Sequence, residues 1–136
     1  MFINQLSVFI ENEEGRLGKV LDILKQEDIN IISLSLADSS EFGLLRMIVS
    51  DAEKGKSALR TNGFSTMLTP VLAVKLTHQV GALQNVLAEI CKENINIEYT
   101  YALATGTGDA SIVIKTEDLE KTAQVLKNAG VELLNF

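Results

Sequence analysis

Apolar and polar positions along the chain change their period in a regular way. Residues 3–10 alternate between apolar and polar, as in a strand with one buried face. Apolar residues then recur at helical spacing over residues 17–24. Residues 31–36 and 44–49 return to the composition of strands. The pattern therefore predicts a strand, a helix and two further strands in this order.

A second helix is predicted after residue 49. Ser50 and Glu53 have the spacing of a capping box, in which the first side chain bonds the backbone of the first helical turn. Gly63 is placed to end this helix, and residues 64–69 predict a short last strand. The segment 38–43, with the sequence DSSEFG, is predicted to connect the second and third strands.

The same order of elements then occurs again. Residues 14–31, EGRLGKVLDILKQEDINI, align with residues 80–97, VGALQNVLAEICKENINI, at an offset of 66. The remaining elements of the second copy are strands over residues 72–76, 95–103, 110–115 and 131–136, a hairpin connection at 105–109, and a helix after Thr116-Glu117-Asp118 that Gly130 ends. The only proline, Pro70, lies between the copies. The chain therefore divides into two expected domains, residues 1–69 and 70–136.

The order strand-helix-strand-strand-helix-strand defines the fold class. It predicts two ferredoxin-like βαββαβ units of the α+β class, with antiparallel sheets and the helices on one face. A unit this short buries a modest fraction of its surface, and its edge strands need covering. We therefore expect the two units to pair side by side.

Composition excludes several function classes. The 136 residues carry a formal net charge of -6, which disfavours binding to nucleic acids and to anionic membranes. One cysteine and one histidine leave no internal disulfide and no soft-metal site, so no cofactor or metal is expected. The first residues lack the basic and apolar regions of a signal peptide, and no apolar run has the length of a membrane span. The expected location is the cytoplasm.

Catalytic constellations are not recognisable in the sequence. His78 is the only imidazole, none of the acidic residues forms a recognisable catalytic pair, and there is no phosphate-binding loop. A small enzyme of ferredoxin-like fold, such as an isomerase or an acyl-phosphatase, is the alternative that this absence argues against. We therefore expect a protein without catalytic activity.

The turn after the first strand of each copy is the remaining candidate site, at residues 12–17 and 78–83. Its glycine lets the backbone come close to a ligand, and the N–H groups at the start of the following helix suit a carboxylate. Arg16 is either solvated beside Glu13 and Glu14 or faces an anion. A plain tight turn is the alternative interpretation of each glycine.

The pattern of a strand, Asn-x-x-Gly-x-Leu, a helix and then Ile-Asn-Ile resembles the ACT domain, a small-molecule sensor of amino-acid metabolism. Two copies cover essentially the whole chain. The resemblance implies the ferredoxin-like topology predicted above and side-by-side pairing of domains. It also implies an amino acid held where the first turn of one domain meets the second strand of its neighbour.

The resemblance also implies particular ligand-binding residues. In the regulatory domain of phosphoglycerate dehydrogenases, the Asn three residues before the Gly and the Asn of Ile-Asn-Ile contact the ligand. Carried over, these are Asn12 and Asn30 in the first copy and Asn96 in the second. Together with the residues around them in the two turns and at the strand starts, the predicted ligand-binding set is Asn12, Glu14, Gly15, Arg16, Leu17, Asn30 and Ile31 in the first copy, and His78, Val80, Gly81, Ala82, Leu83, Asn96 and Ile97 in the second.

The two copies depart from the family pattern in different ways. His78 stands where the second copy would have the first asparagine, and Glu14 and Val80 replace the usual proline. If the copies pair through their second strands, the Asn12 turn faces Asn96 and the His78 turn faces Asn30. The alternative is local: each asparagine of Ile-Asn-Ile bonds nearby backbone, and His78 is a solvated loop residue.

An apolar strand face predicts an interaction surface. Ile97, Tyr99, Tyr101 and Leu103 alternate along the second strand of the second copy, as Ile32, Leu34 and Leu36 do in the first, with Phe9 and Leu44 nearby. We expect this open sheet face to be covered by a second chain, as a homodimer, or by a metabolic enzyme. The competing explanation is a bulge that exchanges the faces.

The sequence therefore predicts a non-catalytic regulatory protein of amino-acid metabolism. It is expected to bind a small L-amino acid at the interface of its two domains. The alternative is a ligand-free dimerisation or interaction subunit of a metabolic enzyme complex.

Overall fold

A computed structural model describes residues 2–11, 13–38, 41–104 and 110–135. In this part of the chain, two consecutive strands lie between the two helices of each copy, as the periodicity predicts. The strands are β1 (Ile3–Glu11), β2 (Ile31–Asp38), β3 (Phe42–Val49), β4 (Ser65–Leu76), β5 (Ile97–Ala102), β6 (Ala110–Thr116) and β7 (Leu133–Leu134). The helices are α1 (Arg16–Gln26), α2 (Ala52–Thr61), α3 (Ala82–Lys92) and α4 (Leu119–Asn128).

The chain divides into two compact units. The N-terminal unit comprises Asn4–Thr69, and the C-terminal unit comprises Pro70–Phe136 together with Met1–Ile3. In the N-terminal unit the strand order is β2-β3-β1-β4. In the C-terminal unit it is β5-β6-β4, and β7 also pairs with β4. The pairings β1–β3, β2–β3, β4–β6, β4–β7 and β5–β6 are antiparallel. This is the ferredoxin-like order in each unit, and it confirms the predicted fold class.

The core of the N-terminal unit lies between its sheet and its two helices. Leu6 on β1, Leu24 on α1 and Leu59 on α2 are completely buried in it. Gly55 allows α2 to approach closely, because a Cβ atom there would lie 3.0 Å from Cδ2 of Leu6 and 3.4 Å from Cδ2 of Leu24. A larger residue at this position would force buried side chains to move.

The core of the C-terminal unit has the same plan and adjoins buried threonine hydroxyls. Leu72, Ile90 and Leu126 are completely buried between the sheet and α3 and α4. The buried Thr122 hydroxyl donates to the carbonyl oxygen of Asp118 at 2.7 Å and lies 2.7 Å from Oγ1 of Thr116. The hydroxyl is therefore hydrogen-bonded, which offsets the cost of removing it from water.

One hydrogen-bonding device joins the two helices in each unit. The Lys54 ammonium donates to the carbonyl oxygen of Glu27 at 2.7 Å, and the Lys121 ammonium donates to that of Glu93 at 3.3 Å. Glu27 and Glu93 end α1 and α3, where free carbonyl groups and the helix dipole favour a cation. The internal repeat is therefore preserved in tertiary contacts as well as in sequence.

The strands at the boundary between the copies and at the end of the second copy differ from the prediction. Residues 64–69 and 72–76 were expected as separate strands, but both belong to the single twelve-residue strand β4. Pro70 is exposed within it; a proline is accepted in a strand where its missing N–H is not needed by the ladder. The expected last strand, 131–136, is reduced to Leu133–Leu134. Of the predicted hairpin connections, residues 39–40 and 105–109 lie outside the described residues.

The starts of the second helices also differ from the prediction. Asp51, not Ser50, is the N-cap of α2, since its carboxylate accepts the N–H of Lys54 at 3.1 Å. Asp118 caps α4 in the same way and therefore precedes the first turn in which it was expected. The Ser50 hydroxyl instead accepts the backbone N–H of Asn30 at 2.9 Å. A contact distant in sequence therefore decides which residue forms the cap.

The expected apolar face is exchanged by a bulge. In the N-terminal unit the pairing shifts between Ile31 and Ser33, so Leu34 and Leu36 lie opposite residues of the helix-facing core. Both are 45% exposed, at the margin of that core. The prediction that they line the open face is therefore wrong, and the alternative of a bulge is correct.

The same shift occurs in β5 between Ile97 and Tyr99. Ile97 packs against the core, whereas Tyr99 and Tyr101 lie opposite Lys115 and Val113 on the other face. The two tyrosine rings stack with centroids 6.4 Å apart. The prediction of one continuous face from Ile97 onward is therefore wrong as well.

We predict that removing either aspartate cap destabilises its unit. Asp51→Ala and Asp118→Ala each leave an N–H group of the first turn without its carboxylate, at a cost of about 1 kcal/mol. Chemical denaturation followed by far-UV circular dichroism measures this loss. Glu53→Ala and Glu120→Ala remove a nearby charge but no cap, so they should cost clearly less. Equal losses in both pairs would contradict the assignment of the caps.

We predict that Asp28→Gly stabilises the protein. Asp28 follows α1 with a φ of 57°, a left-handed conformation in which a side chain is strained. The expected net gain is about 0.5–1 kcal/mol, because the relief of backbone strain exceeds the extra backbone entropy that glycine loses on folding. Asp22→Gly, in the exposed middle of α1, is the matched control and should lower stability. A loss of stability in Asp28→Gly would refute the prediction.

Candidate functional site

Each candidate turn is built around a glycine in the left-handed conformation. Gly15 has φ 83° and ψ -6°, and Gly81 has φ 85° and ψ 0°. Each forms the N-cap of the helix that follows, where Ser, Thr, Asp or Asn would normally supply a capping oxygen. Among the described residues, no side chain caps either helix. The glycines therefore fix the path of the backbone and leave the helix starts open.

The open helix starts present backbone N–H groups. In the N-terminal unit, Arg16 N–H donates to the Glu13 carbonyl and Lys19 N–H to the Gly15 carbonyl. The N–H groups of Leu17 and Gly18 lie between these two and donate to no described residue. The start of a helix carries partial positive charge, so this pair of donors suits a carboxylate.

The C-terminal unit repeats this geometry. Ala82 N–H donates to the Gln79 carbonyl at 3.2 Å, and Asn85 N–H donates to the Gly81 carbonyl at 2.9 Å. The N–H groups of Leu83 and Gln84 lie between them and likewise donate to no described residue. Both units therefore offer the same two-donor arrangement.

Arg16 packs on an aromatic ring. Its guanidinium lies over the ring of Phe64, 4.5 Å from the ring centroid, in a cation–π contact. Phe64 is buried, and Nε of Arg16 is buried without a partner among the described atoms. Arg16 therefore covers the ring of Phe64, the residue that precedes β4. The sequence did not indicate Phe64, which is far from Arg16 along the chain.

The asparagines of the Ile-Asn-Ile segments are anchored through their backbones. Asn30 N–H donates to the Ser50 hydroxyl, and its carbonyl accepts Ser50 N–H at 2.9 Å. Asn96 N–H donates to Oε1 of Glu117 at 3.1 Å, and its carbonyl accepts Glu117 N–H at 3.4 Å. Both residues are exposed, and no described residue bonds their side-chain amides. The backbone is fixed while the amides remain available.

The turn and the asparagine lie at opposite ends of each unit. Glu11 pairs with Phe42 at the start of β3, and Ile31, next to Asn30, pairs with Val49 at its end. At about 3.4 Å per residue, the seven steps along β3 correspond to about 24 Å. A single unit therefore does not bring these two groups into one site.

The other predicted residues have varied environments. Glu14, His78, Val80 and Leu83 are exposed. The side chains of Leu17, Ile31, Ala82 and Ile97 instead pack against the cores. Asn12 lies outside the described residues. The exposed members are thus the ones free to touch a ligand, and the packed members hold the turns and strands in place.

A small cleft adjoins the turn of the N-terminal unit. Its volume is about 190 Å³, and Leu17, Leu36 and Asp38 line it together with Glu11 and Glu13. Leu36 reaches this position because of the bulge in β2, and the sequence did not predict it. The cleft combines an apolar floor with carboxylates at its rim, a lining that favours an ammonium group over an anion.

Metal and membrane sites are not found in the described part of the chain. Within residues 2–11, 13–38, 41–104 and 110–135, no group of three His, Cys, Asp or Glu side chains is placed to hold a metal ion. None of the helices described there is long and apolar enough to cross a membrane. The turns are therefore the strongest candidate sites in these residues.

Comparison with known proteins identifies the family. The family described as the ACT domain pair matches residues 1–135, and the chain therefore belongs to it. The structure of protein BT0572 from Bacteroides thetaiotaomicron is 40% identical, with a TM-score of 0.93, and the match covers 98% of this chain and 92% of that one. A comparison with curated proteins gives no match.

More distant structures share the fold. The regulatory subunit of aspartate kinase from Thermus thermophilus is 18% identical with a TM-score of 0.66, covering 93% of this chain and 91% of that one. The corresponding subunit from Thermus flavus is also 18% identical, with a TM-score of 0.65, covering 93% and 92%. At this identity the likeness establishes the architecture of two ferredoxin-like units.

We predict opposite effects of adding one methyl group at two neighbouring glycines. A Cβ atom at Gly15 or at Gly18 would meet no atom within 4 Å, so neither substitution causes a clash. Gly15→Ala strains the left-handed backbone and should cost about 1 kcal/mol. Gly18→Ala, inside α1, should instead gain up to about 1 kcal/mol from helix propensity. Thermal and chemical unfolding measure both, and a gain in Gly15→Ala would contradict the assigned conformation.

Proposed function

We propose that this protein is a non-catalytic regulatory protein that binds a small L-amino acid at the turns preceding α1 and α3. The observation that carries the proposal is the repeated glycine turn, with two N–H donors and no described side-chain cap in each unit. A carboxylate accepts from such a pair of donors, and the helix dipole favours it. Membership of the ACT domain-pair family supports the same interpretation.

The ammonium group of the ligand requires acceptors near the turn. In the N-terminal unit, the carboxylates of Glu13 and Asp38 at the cleft supply them. The amides of Asn30 and Asn96 are about 20 Å or more from the turn of their own unit, from the strand spacing. If an amide and a turn contact one ligand molecule, they therefore come from different units.

Regulation would follow from differential affinity. A ligand that binds one conformation or assembly more tightly shifts the population toward it. The fold shared with the regulatory subunits of aspartate kinase is compatible with such a role, since those proteins are separate chains of similar length. The protein would thus carry information about amino-acid supply to a partner enzyme.

A second candidate function rests on the exposed apolar side chains. Phe9 and Phe42 are 47% and 53% exposed, on the face of the N-terminal sheet that points away from the helices. Such side chains suit contact with a second copy or with an enzyme subunit. This observation supports an interaction subunit that needs no ligand, and amino-acid binding distinguishes the two functions.

We predict measurable binding of at least one L-amino acid that depends on the turn residues. Isothermal titration calorimetry against the twenty amino acids tests this, supported by a thermal-shift screen, because a ligand of the native state raises its stability. Asn12→Ala and His78→Ala should each weaken binding about tenfold, as expected for the loss of one hydrogen bond to a charged group.

Asn4→Ala is the matched control, because Asn4 is an exposed asparagine outside the turns. Its affinity should equal that of the wild type. Absence of binding to all twenty amino acids would refute the ligand-binding function and favour the interaction subunit. Unchanged affinity in both turn variants would refute the assigned site.

A further inference from the structure

The C-terminal unit contains a groove beside the start of α3. Its volume is about 480 Å³, and its apolar floor is formed by Leu76, Ala82, Val86 and Val131. Thr77 and Asn85 add polar groups at its margin. The groove thus joins an apolar surface to the helix start at which a carboxylate is proposed to bind.

The internal repeat explains why this groove is open. Arg16 and Ala82 each follow the left-handed glycine that begins the helix. Phe64 and Val131 each follow the left-handed glycine after the second helix, and their N–H groups donate to the equivalent carbonyls of Leu59 and Leu126. In the N-terminal unit the guanidinium lies on the ring and fills this space. Ala82 and Val131 are too small to do so.

The charges near the groove indicate which side chains it accepts. Lys75 and Glu132 border it, and they form an ion pair with each other at 3.4 Å. The two charges offset each other, so the border of the groove has no net charge to attract a charged side chain of a ligand. The remaining lining is apolar or neutral, so a charged group would lose its hydration there without gaining a partner.

We propose that the groove of the C-terminal unit binds the side chain of a free aromatic or branched-chain L-amino acid. The carboxylate of the ligand lies on the N–H groups of Leu83 and Gln84, and its side chain packs on Ala82, Val86 and Val131. This inference rests on the proposed function, since it takes the ligand to be an amino acid. It adds the class of side chain and makes the two units unequal, because Arg16 and Phe64 occupy the equivalent positions in the described part of the N-terminal unit.

The test compares four probes on the full chain by isothermal titration calorimetry: L-phenylalanine, L-leucine, L-aspartate and glycine. Phenylalanine or leucine should bind about tenfold more tightly than glycine, the factor given by burying about two methylene groups. Aspartate should show no such advantage. Amide chemical-shift changes in labelled protein should include Asn85, Val86 and Val131 when the apolar probe is added.

The decisive variant gives the C-terminal unit the arginine and the aromatic ring that fill the equivalent space in the N-terminal unit. Ala82→Arg combined with Val131→Phe should close the groove and remove the preference for the apolar probes over glycine. Ala88→Arg is the matched control, because it places the same side chain at an exposed position of the same helix. It should retain the preference. If the double variant does not fold, Ala82→Leu alone fills part of the groove and should reduce the preference.

The outcomes separate this inference from the function on which it rests. A preference that the double variant or Ala82→Leu reduces supports the groove. Amino-acid binding without a side-chain preference, or with a preference that neither variant changes, overturns the groove and leaves the regulatory function standing. Absence of binding to any amino acid overturns both.

Discussion

A one-residue shift in strand pairing governs the rest of this structure. Side chains of a strand alternate between faces, so an extra residue at the start of β2 or β5 moves every later side chain to the other face. The shift after Ile31 brings Leu36 to the cleft beside the first turn. The shift after Ile97 sends Tyr99 and Tyr101 to the opposite face. The lining of the cleft beside the first turn therefore depends on a local irregularity of the sheet.

Periodicity and local chemistry were sufficient to predict most of the fold. Helical spacing identified α1 and α3. The ends of α2 and α4 were predictable as well, because Gly63 and Gly130 end these helices through their own left-handed backbone conformation, which is a local property of the sequence. The bulges were only an alternative interpretation of the sequence, because register depends on partner strands distant in sequence. The same applies to the cap of α2: Ser50 and Asp51 are both good capping residues, and the hydrogen bond of Ser50 to Asn30 leaves the cap to Asp51.

The candidate site was predictable to the extent that it is local. The glycine turns were found from their spacing, and the structure gives both the left-handed conformation. The environment of Arg16 could be identified only from the fold, because its partner Phe64 lies just before β4, far from Arg16 in the sequence. The difference between the units was already visible when the copies were aligned. The consequence of this difference was not visible. Ala82 and Val131 replace an arginine and an aromatic residue, and this opens a groove only because the fold brings the two positions together.

The stacked pair of Tyr99 and Tyr101 has a practical consequence for spectroscopy. The chain has two tyrosines and no tryptophan, so both of its strongest ultraviolet chromophores lie on β5. Their emission and near-ultraviolet dichroism therefore report on the C-terminal unit, whereas the N-terminal unit is nearly silent to these methods. Far-ultraviolet dichroism follows the backbone of both units. Coincidence of the two signals during denaturation would show directly whether the two repeats melt as one cooperative body.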